Sequence, residues 1–227
     1  RTFKMYSSLD DAVLALQNGE VHHLPWSLTP GYRNQMVNDP NIGFEMPVDR
    51  GFFFMTFNMR KGAMADVDFR RAVAYTVDKQ YIVDELMDGY GVQGSVPISA
   101  TSQIYVNTSV PDWIQGGDLA AAAALLDSAG YIDADGDGWR DMPDGSPLKY
   151  NILTPPKDYD PIRADSGIMI EMDLKSIGLN IASVPTSFDT IVSAGFVSLD
   201  FDMYILGWTV GSFPEQYLRD FFHSGAD

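Results

Sequence analysis

The sequence contains no cysteine. That excludes a disulfide scaffold, a thiolate metal site and cysteine catalysis. Histidine is nearly as scarce, with three copies, His22, His23 and His223. Adjacent histidines point apart on a helix or a strand, so His22 and His23 make a poor chelate. A surface or hinge position suits them, and no zinc or histidine-based catalytic constellation is expected. Basic residues are also few: 15 against 31 acidic ones, a formal net charge of -16. A binder of nucleic acid or of anionic membranes carries the opposite sign, so no nucleic-acid partner is expected. The acidic surface serves solubility. No apolar run approaches the length of a membrane span, and no signal peptide is recognisable.

What is present is a core-forming chain. Its 227 residues suffice for one large domain or two small ones, and 45% of them are hydrophobic. Global disorder is excluded at that fraction. The organising stretch is Phe52-Phe53-Phe54-Met55-Thr56-Phe57-Asn58, a short aromatic run that reads as a buried strand. A polar turn follows, then Asp66 as an N-cap and a helix-spaced segment through Lys79. Val67, Arg71 and Ala74 share one face of that helix; Phe69, Ala72, Val73 and Val77 share the next.

The same alternation runs along the chain. Residues 2–6 alternate as a strand, and Ser8 with Asp11 has the form of a capping box before a helix that stops at Asn18-Gly19. Residues 25–49 read as loop and short helix, and residues 93–113 as an extended, turn-rich loop. Asp118 caps an alanine-rich helix ending at Gly130-Tyr131. A strand over 148–153, a helix over 162–177 closed by Gly178, a strand over 179–184, a short helix opened by Ser187-Phe188-Asp189 and a strand over 201–208 complete the pattern. Strand–helix alternation of this kind predicts an α/β fold with a mixed sheet flanked by helices. The chain opens in mid-strand style at residues 1–6 and ends on residues 223–227 with no closing element, so an excised piece of a longer protein is expected.

Three markers, in order, carry a family resemblance: Phe57-Asn58 followed by Asp66-Val67, Arg70-Arg71-Ala72-Val73 and Val77-Asp78-Lys79; Leu125-Leu126 with Ala129-Gly130-Tyr131; and the strand ending Gly207-Trp208. In these the chain resembles the extracellular solute-binding proteins of ABC importers, family 5, the oligopeptide, dipeptide and nickel-binding class. The resemblance covers nearly the whole sequence. It departs at His22, where the family usually has Asp, and at Gly211. The resemblance implies the C-terminal lobe of a type II periplasmic-binding-protein-like fold, with residues 1–50 near the inter-lobe hinge and residues 51–227 as the lobe core. It further implies a non-enzymatic role: capture of a peptide-like or other small solute between this lobe and a missing N-terminal lobe, and presentation to a membrane permease. The location implied is periplasmic or extracellular, with a lipoprotein anchor in the full-length protein.

Two stretches could hold a site. Residues 133–144 match the calcium loop of an EF-hand: Asp133, Asp135 and Asp137 at positions one, three and five, Gly138 at six, the Trp139 carbonyl at seven, Asp141 at nine and Asp144 at twelve. Alternate residues of a tight loop aim oxygens inward, and calcium takes six to eight of them. Asp replaces Glu at position twelve, Arg140 replaces an apolar residue at eight, and Pro143 with the following strand precludes a second EF helix. A structural rather than sensory calcium ion is the expectation, set against an acidic Asp-Gly turn held by its own Asx bonds. The second stretch is Gly207-Trp208-Thr209-Val210-Gly211-Ser212-Phe213-Pro214. Peptide-binding relatives carry an Asp where Gly211 stands, and it holds the ligand's α-ammonium. That anchor is absent here, leaving Trp208, Thr209, Gly211 and Phe213 as the ligand-binding segment, with Trp208 and Phe213 as apolar or stacking walls for a peptide or an oligosaccharide. The Arg70-Arg71 pair reads as an exposed helix face rather than an anion site. The alternative classes are a calcium-stabilised glycan-active enzyme fragment, which needs paired acids in a cleft, and a calcium-stabilised adhesion module.

Overall fold

In a computed structural model the described residues are 2–25, 28–45, 49–99, 114, 116–211, 214–223 and 225. Four strands form one sheet in the order β1-β4-β2-β3: β1 (Gly51–Phe57), β2 (Tyr150–Thr154), β3 (Ile181–Pro185) and β4 (Met203–Thr209). β2 runs parallel to both β3 and β4, and β1 runs antiparallel to β4. The sheet is therefore mixed, as the sequence pattern predicts. The helices are α1 (Leu9–Gln17), α2 (Pro30–Met36), α3 (Val67–Thr76), α4 (Lys79–Tyr81), α5 (Leu119–Ser128), α6 (Pro161–Ser176), α7 (Phe188–Ser193) and α8 (Glu215–Phe222).

The caps fall where the sequence places them. Ser8 Oγ accepts from the Asp11 N–H, and Asp66 and Asp118 each accept an N–H from their own first turn; Asp160, not read as a cap in the sequence, does the same for α6. The helix expected to run on from Asp66 through Lys79 stops earlier. Val77 leaves helical geometry at φ -77, ψ 97, and the chain restarts as α4 and a π-helical turn over Ile82–Leu86. Asp78 caps that restart through the Tyr81 N–H, at 2.9 Å. Residues 2–6 form no strand and pair with none among the described residues, and Phe3 and Met5 lie almost fully exposed. The strands expected from 148 and 179 begin at Tyr150 and Ile181.

The sheet divides the apolar residues by the period-two rule. Met203 and Ile205 of β4 face α3, α5 and α6, and join Phe69, Leu126, Ile152 and Leu174 in the main core. Tyr204 and Leu206 face the other way and pack with Ile191 of α7, Phe54 and Leu153. α6 lies so close to the sheet that a Cβ at Gly167 would run into the side chains of Thr154 and Ser183; glycine is required there by contact rather than by backbone angle.

The family markers have structural reasons. Asn58 is buried and closes β1 onto the start of β4: its side-chain amide donates to the carbonyls of Leu199 and Phe201 at 3.1 and 2.9 Å. Arg70 donates to the carbonyls of Met64 and Ala65, holding the 3-10 turn Gly62–Ala65 against α3, so it is a fastening and not an anion site. Tyr131 is buried with its ring 5.2 Å from Phe69, and its hydroxyl donates to Asp66 at 3.0 Å. No helix among the described residues is long and apolar enough to cross a membrane.

Candidate functional site

In an open sheet with parallel strands, crevices form beyond the carboxyl ends of those strands. β4 supplies such an end. β2 pairs with it only at Met203 and Tyr204, while β1 continues beside it to Thr209. Past Tyr204, no strand among the described residues takes the β2 side of β4. Ile205 and Leu206 are buried, Gly207 and Trp208 are half-buried, and Thr209 is exposed. The open part of this edge is therefore residues 207–209.

Trp208 stands opposite Phe52 in the register and on the same sheet face as Leu206. Its ring is stacked on Tyr217 of α8 at 6.1 Å and 29°, meets Phe221 edge-on at 5.1 Å, and lies 6.3 Å from Phe196. Tyr217 also touches Phe52 at 6.3 Å, tying α8 to β1. The cluster is open on its outer side: Phe221 is 47% and Phe222 57% exposed. Gly207 lets the ring of Phe53 lie across the strand, since a Cβ there would sit 3.0 Å from that ring. On the far face Arg163 spreads over Phe53 at 5.4 Å and pairs with Asp160 at 2.8 Å.

Of the ligand-binding residues expected from the sequence, Trp208 and Thr209 lie on this edge. Gly211 is exposed with open space around its Cβ direction. Phe213 lies outside the described residues. The residues missed are Tyr217, Phe221 and Phe222. The sequence pattern assigned their segment no element, yet it forms α8. The signal was present: Tyr217, Leu218, Phe221 and Phe222 recur at helical spacing just after Pro214.

The acidic loop is arranged differently. Carboxylate oxygens of Asp133, Asp135 and Asp141 lie within 4.8 Å of one another. Each is already engaged. Asp133 accepts from the N–H groups of Gly136 and Gly138, Asp135 from that of Asp137, and Asp141 from that of Ala134, all between 2.8 and 3.1 Å. Asp137 accepts from the N–H of Trp139 at 2.8 Å. Asp144 accepts from both the N–H and hydroxyl of Ser146, which hold its carboxyl below the ordinary carboxylate range. Of the six positions read as ligands, the structure brings three carboxylates together; they fit a hard cation through half of the smallest calcium shell. Arg140, the residue out of place in an EF-hand, fastens the loop. Its guanidinium donates to the carbonyls of Ile177 at 2.7 Å and Tyr131 at 2.5 Å and pairs with Asp127.

Comparison with known proteins gives one family. Residues 2–227 match the model of the bacterial extracellular solute-binding proteins, family 5, middle region. The oligopeptide-binding protein AppA of Bacillus subtilis is 26% identical over 179 residues, covering 78% of this chain and 32% of its own length. The AppA structure in complex with a nonapeptide superposes with a TM-score of 0.83 at 24% identity, over 98% of this chain and 43% of that one. NikZ of Campylobacter jejuni, in complex with Ni(L-His), gives 0.81 at 23% identity, over 99% and 42%. A mannohexaose-bound periplasmic oligopeptide-binding protein from Thermotoga maritima gives 0.76 at 22%, over 98% and 42%. The chain thus spans about a third of the length of the curated relative it matches. A family match over this much of the sequence, with the α/β architecture in agreement, leads to one assignment: the chain belongs to the bacterial extracellular solute-binding proteins of family 5.

Proposed function

We propose that this chain is the C-terminal lobe of a two-lobed solute-binding component of an ABC importer, and that the full-length protein captures a peptide-like solute between its lobes. Residues 51–227 form the lobe core in this reading. Residues 1–50 face the hinge and the N-terminal lobe in this reading, which accounts for Phe3 and Met5 lying exposed. The lobes close by hinge motion around the solute, and the closed form is offered to a membrane permease. The protein works outside the cytoplasmic membrane, held by a lipid anchor in its full-length form. Its role is binding, with no catalytic step.

The observation that carries the reading is the open side of β4 at residues 207–209, beside the half-buried Trp208. An extended peptide can add to such an edge through its main chain while its side chains find pockets. With Gly211 in place of a carboxylate, the peptide's α-ammonium is not held at that position, so main-chain pairing and aromatic contact carry recognition. An oligosaccharide is the second reading, favoured by the stacked Trp208–Tyr217 wall, whose faces suit sugar rings as well as side chains. Calcium remains a proposal for the loop at residues 133–144, as a structural ion on Asp133, Asp135 and Asp141 that relieves their mutual repulsion.

The test is calorimetric titration of the full-length protein with nonapeptides and with mannohexaose. Trp208→Ala is expected to weaken whichever solute binds by about 30-fold, the loss typical of a central aromatic contact. Unchanged affinity in that variant would remove Trp208 and its edge from the site.

A further inference from the structure

A second aromatic pair lies at the carboxyl ends of the neighbouring strands. Tyr159 follows β2 in the connection to α6, and Phe188 is the first residue of α7, just after β3. Their rings are stacked, 5.8 Å apart and 26° from parallel. They are nonetheless open, Tyr159 at 54% and Phe188 at 39%. Large apolar rings paired at a surface either seal a local joint or wait for a partner. Here both are set on fixed supports. The turn under Tyr159 is closed by N–H groups of Tyr159 and Asp160 donating to the Pro156 carbonyl, each at 3.0 Å. Phe188 sits on a helix start where the Ser187 hydroxyl accepts from the Thr190 N–H. Rings held this way lose little freedom when a ligand group packs on them.

The position relates the pair to Trp208. Both lie toward the carboxyl ends of parallel strands of one sheet. α7 continues without a break into the π-helical turn Ala194–Ser198. Eight residues of that helical run separate Phe188 from Phe196, a rise of about 12 Å. Phe196 in turn lies 6.3 Å from Trp208. Through Phe196 the path from the pair to Trp208 is thus about 18 Å, and an extended peptide, advancing about 3.3 Å per residue, covers it in about five residues.

We infer that the Tyr159–Phe188 pair is a second subsite for the same solute, taking an apolar or aromatic side chain about five residues along from the one at Trp208. The inference rests on the peptide reading above. It makes the site one for peptides of about six residues or more and gives it a length threshold: a shorter peptide reaches one aromatic station only.

The experiment uses the full-length protein and two probes, trialanine and a nonapeptide with phenylalanines about five residues apart, followed by calorimetry. Tyr159→Ala and Phe188→Ala are each expected to weaken the nonapeptide by about 10-fold, as loss of an aromatic contact does. Trialanine affinity should stay within about 2-fold, and Tyr159→Phe should keep nonapeptide binding because the ring is retained. Unchanged melting temperatures establish that the variants remain folded. Nonapeptide affinity unaltered in both alanine variants overturns the subsite while leaving the peptide reading intact. Equal weakening of both probes also overturns it, since no length threshold then exists. If the unmodified protein binds neither probe, the peptide reading fails, and the subsite fails with it.

Discussion

The acidic loop at residues 133–144 and the aromatic end of β4 are built on opposite plans. In the loop nearly every polar group is answered from within the chain: Asp133 takes two N–H groups, Asp135, Asp137 and Asp141 take one each, and Arg140 ties the loop to the ends of α5 and α6. At the end of β4 the chain leaves surface unanswered. One side of the strand has no strand beside it among the described residues, and the rings of Phe221 and Phe222 face outward. Both stretches stood out in the sequence. The difference is that carboxylates close to the backbone of a tight turn can satisfy themselves locally, whereas apolar rings can be satisfied only by burial against something else.

The comparison can be broken most forcefully with calcium. If the three convergent carboxylates hold an ion in the native state only, saturating calcium at a hundred times its dissociation constant should add about 2.7 kcal/mol. The thermal melt should rise with calcium, less with magnesium and not with chelator, and Asp135→Asn combined with Asp137→Asn should abolish the rise. Identical melts in all three conditions would leave the loop as a turn satisfied by its own hydrogen bonds. Arg140 sharpens the comparison next. If the loop is a self-contained fastening, Arg140→Ala strands two part-buried carbonyls and frees the exposed Asp127, and the cost should be about 2 kcal/mol. Urea unfolding checks it, and a loss under about 1 kcal/mol would mean that the loop holds without its staple.

The smallest effect concerns pH. Tyr131, beside the acidic loop, is raised well above the ordinary tyrosine range, first by burial and then by its bond to Asp66. Tyr217, under the aromatic end, is raised by burial. The unfolded chain therefore releases these protons first as the pH climbs. Their contribution to stability is complete below pH of about 10, the ordinary tyrosine value, and is lost as the pH rises toward the folded values. Tyr131→Phe should flatten the alkaline fall in stability measured between about pH 9 and 11, at a cost near neutral pH of about 1 kcal/mol for the lost bond. An alkaline profile identical to that of the unmodified protein would show that folding does not raise the Tyr131 hydroxyl above its unfolded value.

Much of the fold was legible because it is written in short-range chemistry. The caps at Ser8, Asp66 and Asp118 bond within their own first turns, so residue type and spacing suffice to place them. β1 and β4 were legible as apolar runs, and the main core residues as periodic positions on either side of the sheet. The break at Val77 was not. Val77 lines up with the apolar face of α3, and nothing in its type signals that Asp78 will cap a new helix instead of extending the old one. Residues 2–6 alternate as a strand should, but alternation does not supply a neighbour to pair with.

The candidate site divides along the same line. By itself the sequence determined the α/β class, the family through its three markers, the acidic loop as a choice between a calcium site and a turn held by its own Asx bonds, and Trp208 as a candidate stacking wall in a segment lacking a carboxylate at Gly211. All of these depend on residues close together in the chain or on its pattern. Only the tertiary structure decided that β2 stops short and opens β4 at residues 207–209, that α8 folds back to put Tyr217 on Trp208, and that Tyr159 meets Phe188 across the ends of β2 and β3. The physical reason is that strand order and ring packing are settled by contacts between residues far apart in sequence. Such contacts are selected by burial of the whole core, and a hydrophobic side chain carries no mark of which distant partner will cover it.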